Sequence, residues 1–119
     1  MGVLQTMTSL FSRSAEPVEP VVDFDDAGFN CAGESPWRAT WPEVTRITAY
    51  KIDRLTMDEI RVDFALRDGT TRVITEDSPG FDELMRELAR RFPAVSGWRD
   101  RVLQPAFAAS VSVLYERGE

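Results

Sequence analysis

The chain of 119 residues has no histidine, one cysteine and one lysine. Without histidine it lacks the side chain that most often acts as general base near neutral pH and as metal ligand. A lone cysteine, Cys31, can form neither an internal disulfide nor a thiolate zinc cage, and such sparse use fits a cytoplasmic address. Lys51 is the single lysine among 14 cationic residues, an arginine bias that points to a GC-rich bacterial genome. Long apolar runs are missing as well. No stretch approaches the roughly 20 residues of a membrane helix. Met1–Ser14 lacks the basic start and apolar run of a secretory signal. Met1–Thr6 fits the loose myristoylation pattern, while a ragged start with Met7 as initiator is the plainer reading.

What is present is acid. Twenty carboxylates against 14 cations give a formal charge of −6 and a pI near 4.7. Such a surface repels phosphate, so nucleic acid and anionic membrane are poor partners and a basic protein is a good one. The 43% hydrophobic and 29% charged content is that of a folded domain. The length allows one domain. Residues 1–20 read as a disordered segment ending in the stiff linker Glu16-Pro17-Val18-Glu19-Pro20, and 21–119 as a single α+β domain.

Within that domain Val21–Asp25 reads as a strand with Val22 and Phe24 on one side. Asp26-Ala27-Gly28 is a turn, Phe29–Ala32 is extended again, and Gly33-Glu34-Ser35-Pro36 breaks the element. Trp41-Pro42-Glu43-Val44 leads into a strand at Ile47–Ile52, and Asp53–Asp58 is a polar connection. Ile60, Val62, Phe64 and Leu66 alternate with Glu59, Arg61, Asp63 and Ala65, the period of a strand with one buried face. Asp68-Gly69 predicts a two-residue hairpin that sets Phe64 opposite Val73, Leu66 opposite Thr71 and Arg61 opposite Glu76. Ser78 and Pro79 predict the N-cap and first position of a helix through Phe92, with Phe81, Leu84, Met85, Leu88 and Phe92 on one face. Trp98–Gln104 suggests a short second helix with Trp98 and Val102 inward. Residues 107–115 alternate as a final strand facing Phe107, Ala109, Val111, Val113 and Tyr115 one way, although the alanines also suit a helix. The sum is an antiparallel sheet of about five to six strands packed by one amphipathic helix.

Three groups of residues invite a chemical reading. Asp23, Asp25, Gly28 and Glu34 occupy positions one, three, six and twelve of a calcium loop, but Ala27 fails position five and strands flank it where helices are needed. The carboxylate pairs Asp25-Asp26, Asp58-Glu59, Glu76-Asp77 and Asp82-Glu83 fall at turns and helix starts. Solvent there equalises them, whereas acid–base chemistry needs two different environments. Cys31 sits in an apolar strand context and packs as a small hydrophobe, and Lys51 has no placed serine to activate. No catalytic residue, metal or cofactor is therefore expected. Trp41 and Trp98 read as core. Trp37, in the loop segment Ser35-Pro36-Trp37-Arg38, reads with Asp25, Asp26 and Arg38 as a partner-binding patch.

The split strand pair, the Trp41-Val44-Ile47 lead-in, the charged hairpin and the capped helix together resemble the bacterial pleckstrin-homology-like superfold across Val21–Phe92. Ala49-Tyr50-Lys51, Pro79-Gly80-Phe81 and Gln104-Pro105-Ala106-Phe107 resemble a group of small uncharacterised bacterial proteins. The resemblance implies a fold and no activity. Its phosphoinositide-binding members carry basic residues on the first strand loop, where this chain has Asp25 and Asp26. The leading functional expectation is a non-catalytic protein-interaction module, such as an immunity-type inhibitor of a basic partner. A small hydrolase or isomerase using carboxylates alone is the alternative, and a homodimer paired through a sheet edge is the third.

Overall fold

The computed structural model describes residues 20–53, 57–103 and 110–117. The proposed N-terminal linker, apart from Pro20, and the positions of Phe107 and Ala109 lie outside them. The described chain runs β1 Val21–Phe24, β2 Gly28–Ala32, β3 Trp37–Thr40, β4 Val44–Asp53, β5 Asp58–Leu66, β6 Thr71–Thr75, helix α1 Phe81–Arg91, helix α2 Trp98–Leu103 and β7 Ser110–Glu116. Short 3₁₀ turns at Trp41–Glu43 and Pro93–Val95 link the elements. The α+β class is as expected. The single sheet of five to six strands is not: the described residues form two antiparallel sheets, ordered β1-β2-β3 and β6-β5-β4-β7.

The missed element is β3. The break at Gly33–Pro36 reverses the chain onto β2, setting Cys31 beside Trp37 and Phe29 beside Ala39. Trp37 is therefore a strand residue and not a loop residue. The Asp25–Gly28 turn is held by the Asp25 carboxylate, which accepts from the backbone N–H groups of Ala27 (2.9 Å) and Gly28 (3.0 Å).

The hairpin after β5 also differs from expectation. Ala65 lies opposite Thr71, Phe64 opposite Arg72 and Val62 opposite Ile74, one residue away from the predicted register. Gly69 at φ +90° closes a three-residue loop, with Gly69 N–H donating to Leu66 O at 3.0 Å. A two-residue turn would have buried Val73. The longer loop buries Ile74 beside Val62 and leaves Val73 42% exposed. Arg61 accordingly pairs with Glu59 at 2.9 Å and not with Glu76.

Helix α1 begins two residues later than its sequence signal. Gly80, in the left-handed region at φ +90°, is its N-cap in place of Ser78. A Cβ on Gly80 would stand 2.1 Å from Val22 O, so only glycine fits where α1 meets β1. The inward face is the expected one: Phe81, Leu84, Met85 and Leu88 are buried, Phe92 is partly so, and all join one hydrophobic cluster with both sheets. Trp98 and Val102 of α2 enter the same cluster, as predicted.

The final element is a strand, and the expected alternation breaks within it, because Tyr115 is partly buried against the core while Val111 and Val113 are not. Val111 and Val113 are 73% and 52% exposed, while Leu114 is buried. The β4–β7 register shifts between Ile47 and Thr48, which lets Leu114 turn inward.

Candidate functional site

Asp25, Asp26 and Arg38 come together; Trp37 does not join them. Arg38 Nη2 lies 2.9 Å from Asp25 Oδ1 in an exposed ion pair. That bond, with the two turn N–H groups, holds the Asp25 carboxyl below the usual carboxylate range. Asp26 is fully exposed, 3.8 Å from Arg91 at the end of α1. Trp37 packs edge-on against Phe29 with ring centroids 5.7 Å apart, and the Arg72 guanidinium lies 5.8 Å from its ring. The aromatic residue of the acidic turn is instead Trp41, whose Nε1–H donates to Asp25 O at 3.1 Å. The preceding Thr40–Glu43 box positions it: Glu43 Oε1 accepts from the Thr40 N–H at 2.7 Å. Its buried ring stacks on Phe29 at 5.1 Å, with the Arg91 guanidinium 4.5 Å from its centroid. Both acids of the predicted patch are thus exposed and each has an arginine partner, Arg38 for Asp25 and Arg91 for Asp26.

A cavity of about 630 Å³ opens beside this turn, lined by Trp41, Pro42, Phe92, Pro93 and Tyr115 together with Arg91 and Arg117. Sequence reasoning missed it because its walls come from three separate parts of the chain. Arg91 and Phe92 end α1, and Arg117 follows β7.

The outer face of the four-stranded sheet was missed too. Two rows of side chains cross it: Val73, Asp63, Thr48 and Val113, then Thr75, Arg61, Tyr50 and Val111. No described helix covers this face. Helix α2 lies on the other side, where the Leu103 carbonyl accepts from Lys51 at 2.8 Å. Tyr50 and Asp63 interact electrostatically at the centre of the face, where Arg61 stands opposite Tyr50. Burial pushes the Asp63 carboxyl up despite the opposing influence of Tyr50 and Arg61. Its Oδ1 is buried without a partner. Burial, helped by the charge of Asp63, pushes the Tyr50 phenol up too. The alternation of β5 already placed Arg61 and Asp63 on this face, but the predicted hairpin register put Val73 on the other one, opposite Phe64.

Lys51 is 1% exposed, a cation on the core face of β4. Besides the Leu103 carbonyl it faces Asp58 Oδ2 at 3.6 Å. Cys31 is buried, and burial pushes its thiol up. Among the described residues no group of three or more cysteine, aspartate or glutamate side chains is arranged to hold a metal. No described helix is long and apolar enough to cross a membrane. The acidic Asp23–Glu34 stretch is a β-hairpin with Phe24 opposite Phe29. No family model, curated protein or solved structure matches the chain.

Proposed function

We propose that the chain is a non-catalytic module that binds a basic protein, in the manner of an immunity-type inhibitor, through the outer face of its four-stranded sheet. The observation that carries this reading is that three of the exposed large apolar residues, Val73, Val111 and Val113, stand on that one face. They surround an aromatic and carboxylate centre, Tyr50 with Asp63. Apolar side chains gathered on one exposed face mark an interaction surface. Asp63 supplies the acid that a partner cation would meet, and the charge of −6 would speed the encounter. This face replaces Asp25, Asp26, Trp37 and Arg38 as the proposed contact. The pleckstrin-homology-like reading belongs to the same proposal. Two antiparallel sheets with one main helix support it, and the strand that follows the helices departs from it.

The test is affinity capture from a source lysate at low and high salt. Wild type is compared with Val113→Arg and with the double change Asp25→Lys, Asp26→Lys. The expected result is a basic protein whose capture weakens with salt, is abolished by Val113→Arg and survives the double change. Capture indifferent to Val113→Arg overturns the reading. So does a wild-type dimer that Val113→Arg converts to monomer, because the face would then serve self-association.

A further inference from the structure

The cavity beside Trp41 has a chemistry that the protein-binding reading does not use. Its volume, about 630 Å³, suits a small organic molecule. Much of its wall is apolar: Phe92 and Tyr115 lie 4.6 Å apart with planes tilted by 53°, joined by Trp41 and Pro93. Two arginines complete it, and they differ in how their charge is met. Arg91 is balanced, with Nε 2.6 Å from Glu87 Oε2 and Nη2 3.8 Å from Asp26. Among the described residues Arg117 meets only carbonyls, donating from Nη2 to Pro42 O at 2.8 Å and to Val44 O at 3.0 Å.

The Pro42 carbonyl also accepts from Arg67 Nε at 3.0 Å. Two guanidinium groups thus converge on one neutral oxygen, and neither has a carboxylate within ion-pair distance among the described residues. A carbonyl dipole offsets two like charges only in part. In a chain of net charge −6 this is a local positive excess, and Nη1 of Arg117 has no described acceptor.

We infer that this cavity is a binding site for a small aromatic carboxylate. The ring lies among Trp41, Phe92 and Tyr115, and the carboxylate accepts from Arg117. A planar guanidinium matches a carboxylate in shape as well as charge. The inference is independent of the sheet face, on the other side of β4.

The probes are 2-naphthoate, the neutral 2-naphthylmethanol and inorganic phosphate, each titrated into the full chain. The readout is the NMR signal of the Trp41 indole N–H, with those of Trp37 and Trp98 as internal references. Naphthoate should shift the Trp41 signal saturably and bind at least about tenfold more tightly than the alcohol, a difference of about 1.4 kcal/mol. Arg117→Gln should remove that preference and leave the alcohol bound as before, which also reports that the variant is folded. Phe92→Ala should weaken both aromatic probes. Equal affinity for naphthoate and the alcohol overturns the inference, as does a shift at Trp98 in place of Trp41. Phosphate binding as tightly as naphthoate overturns it too, because the aromatic wall would then contribute nothing. Silence at Trp41 up to about 10 mM naphthoate is equally fatal.

Discussion

Single residues carry the electrostatic strain of this fold. Asp63 is half-buried on the outer sheet face, and its carboxyl sits above the 3.8 of an exposed aspartate. Between those two values the folded state binds more protons than the unfolded one. The stability contribution of Asp63 therefore improves as pH falls through its folded-state value toward 3.8. Asp25 has the opposite sign. Its lowered value adds stability above 3.8 that is lost as pH falls through the folded value. Asp63→Asn keeps the shape of the side chain and removes the buried charge. Its stability relative to wild type should be greatest near pH 7 and shrink on acidification, followed by urea denaturation at several pH values. A relative gain that grows toward acid would contradict the assignment. Lys51→Ala should cost about 3–5 kcal/mol in the same assay, because it leaves Asp58 beside a lost cation and strips a donor from the Leu103 carbonyl. A cost below about 1 kcal/mol would show that water already solvates the Lys51 position. Nothing in the sequence marked Lys51 as buried. An isolated lysine on a strand ordinarily faces water, and this one lies inward because its strand position belongs to the row of Ile47 and Ala49.

Elements were legible where one periodicity ran unbroken. The alternation of β5 and the 3.6-residue face of α1 appear as read, residue by residue. The failures share a cause, since one residue more or less in a turn or bulge exchanges the two faces of a strand. Asp68-Gly69 supported a two-residue loop as well as the three-residue loop that formed, and Val73 and Ile74 are both β-branched, so composition could not choose between them. Truncation can. Ile74→Ala should cost about 2–5 kcal/mol, and Val73→Ala should stay within about 0.5 kcal/mol. The reverse order would restore the two-residue register. Leu88→Ala, fully buried at the centre of the α1 face, should cost about 2–5 kcal/mol, read from the denaturation midpoint. An unchanged midpoint would detach α1 from the core. β3 escaped notice because a four-residue strand in the short stretch from Pro36 to Pro42 resembles a loop, and its pairing with β2 is a tertiary fact.

At the scale of the molecule, the proposed contact moved for a physical reason. Asp25 and Arg38 are 13 residues apart and neutralise each other across β2 and β3. Trp37 turns inward to Phe29. In the patch chosen for exposed charge and an aromatic, the charges of Asp25 and Arg38 are thus paired and the aromatic ring packs on the core. The surfaces that remain are assembled from distant segments. The cavity joins the end of α1 to the end of β7, and the outer face joins β7 to β4, β5 and β6. No window along the chain contains either, so neither carries a motif.

The position of β7 has a further consequence for how the protein is made. β4 lies inside the sheet, yet one of its two hydrogen-bonding neighbours is the last strand of the described chain. The 56 residues between β4 and β7 take about 3–11 s to synthesise at ordinary rates. Throughout that interval the nascent β4–β5–β6 meander presents an open edge to its surroundings, and unpaired edges recruit other strands. The acid of the emerging chain opposes such encounters by like-charge repulsion. One excess of negative charge thus guards the growing polypeptide before its last strand is made.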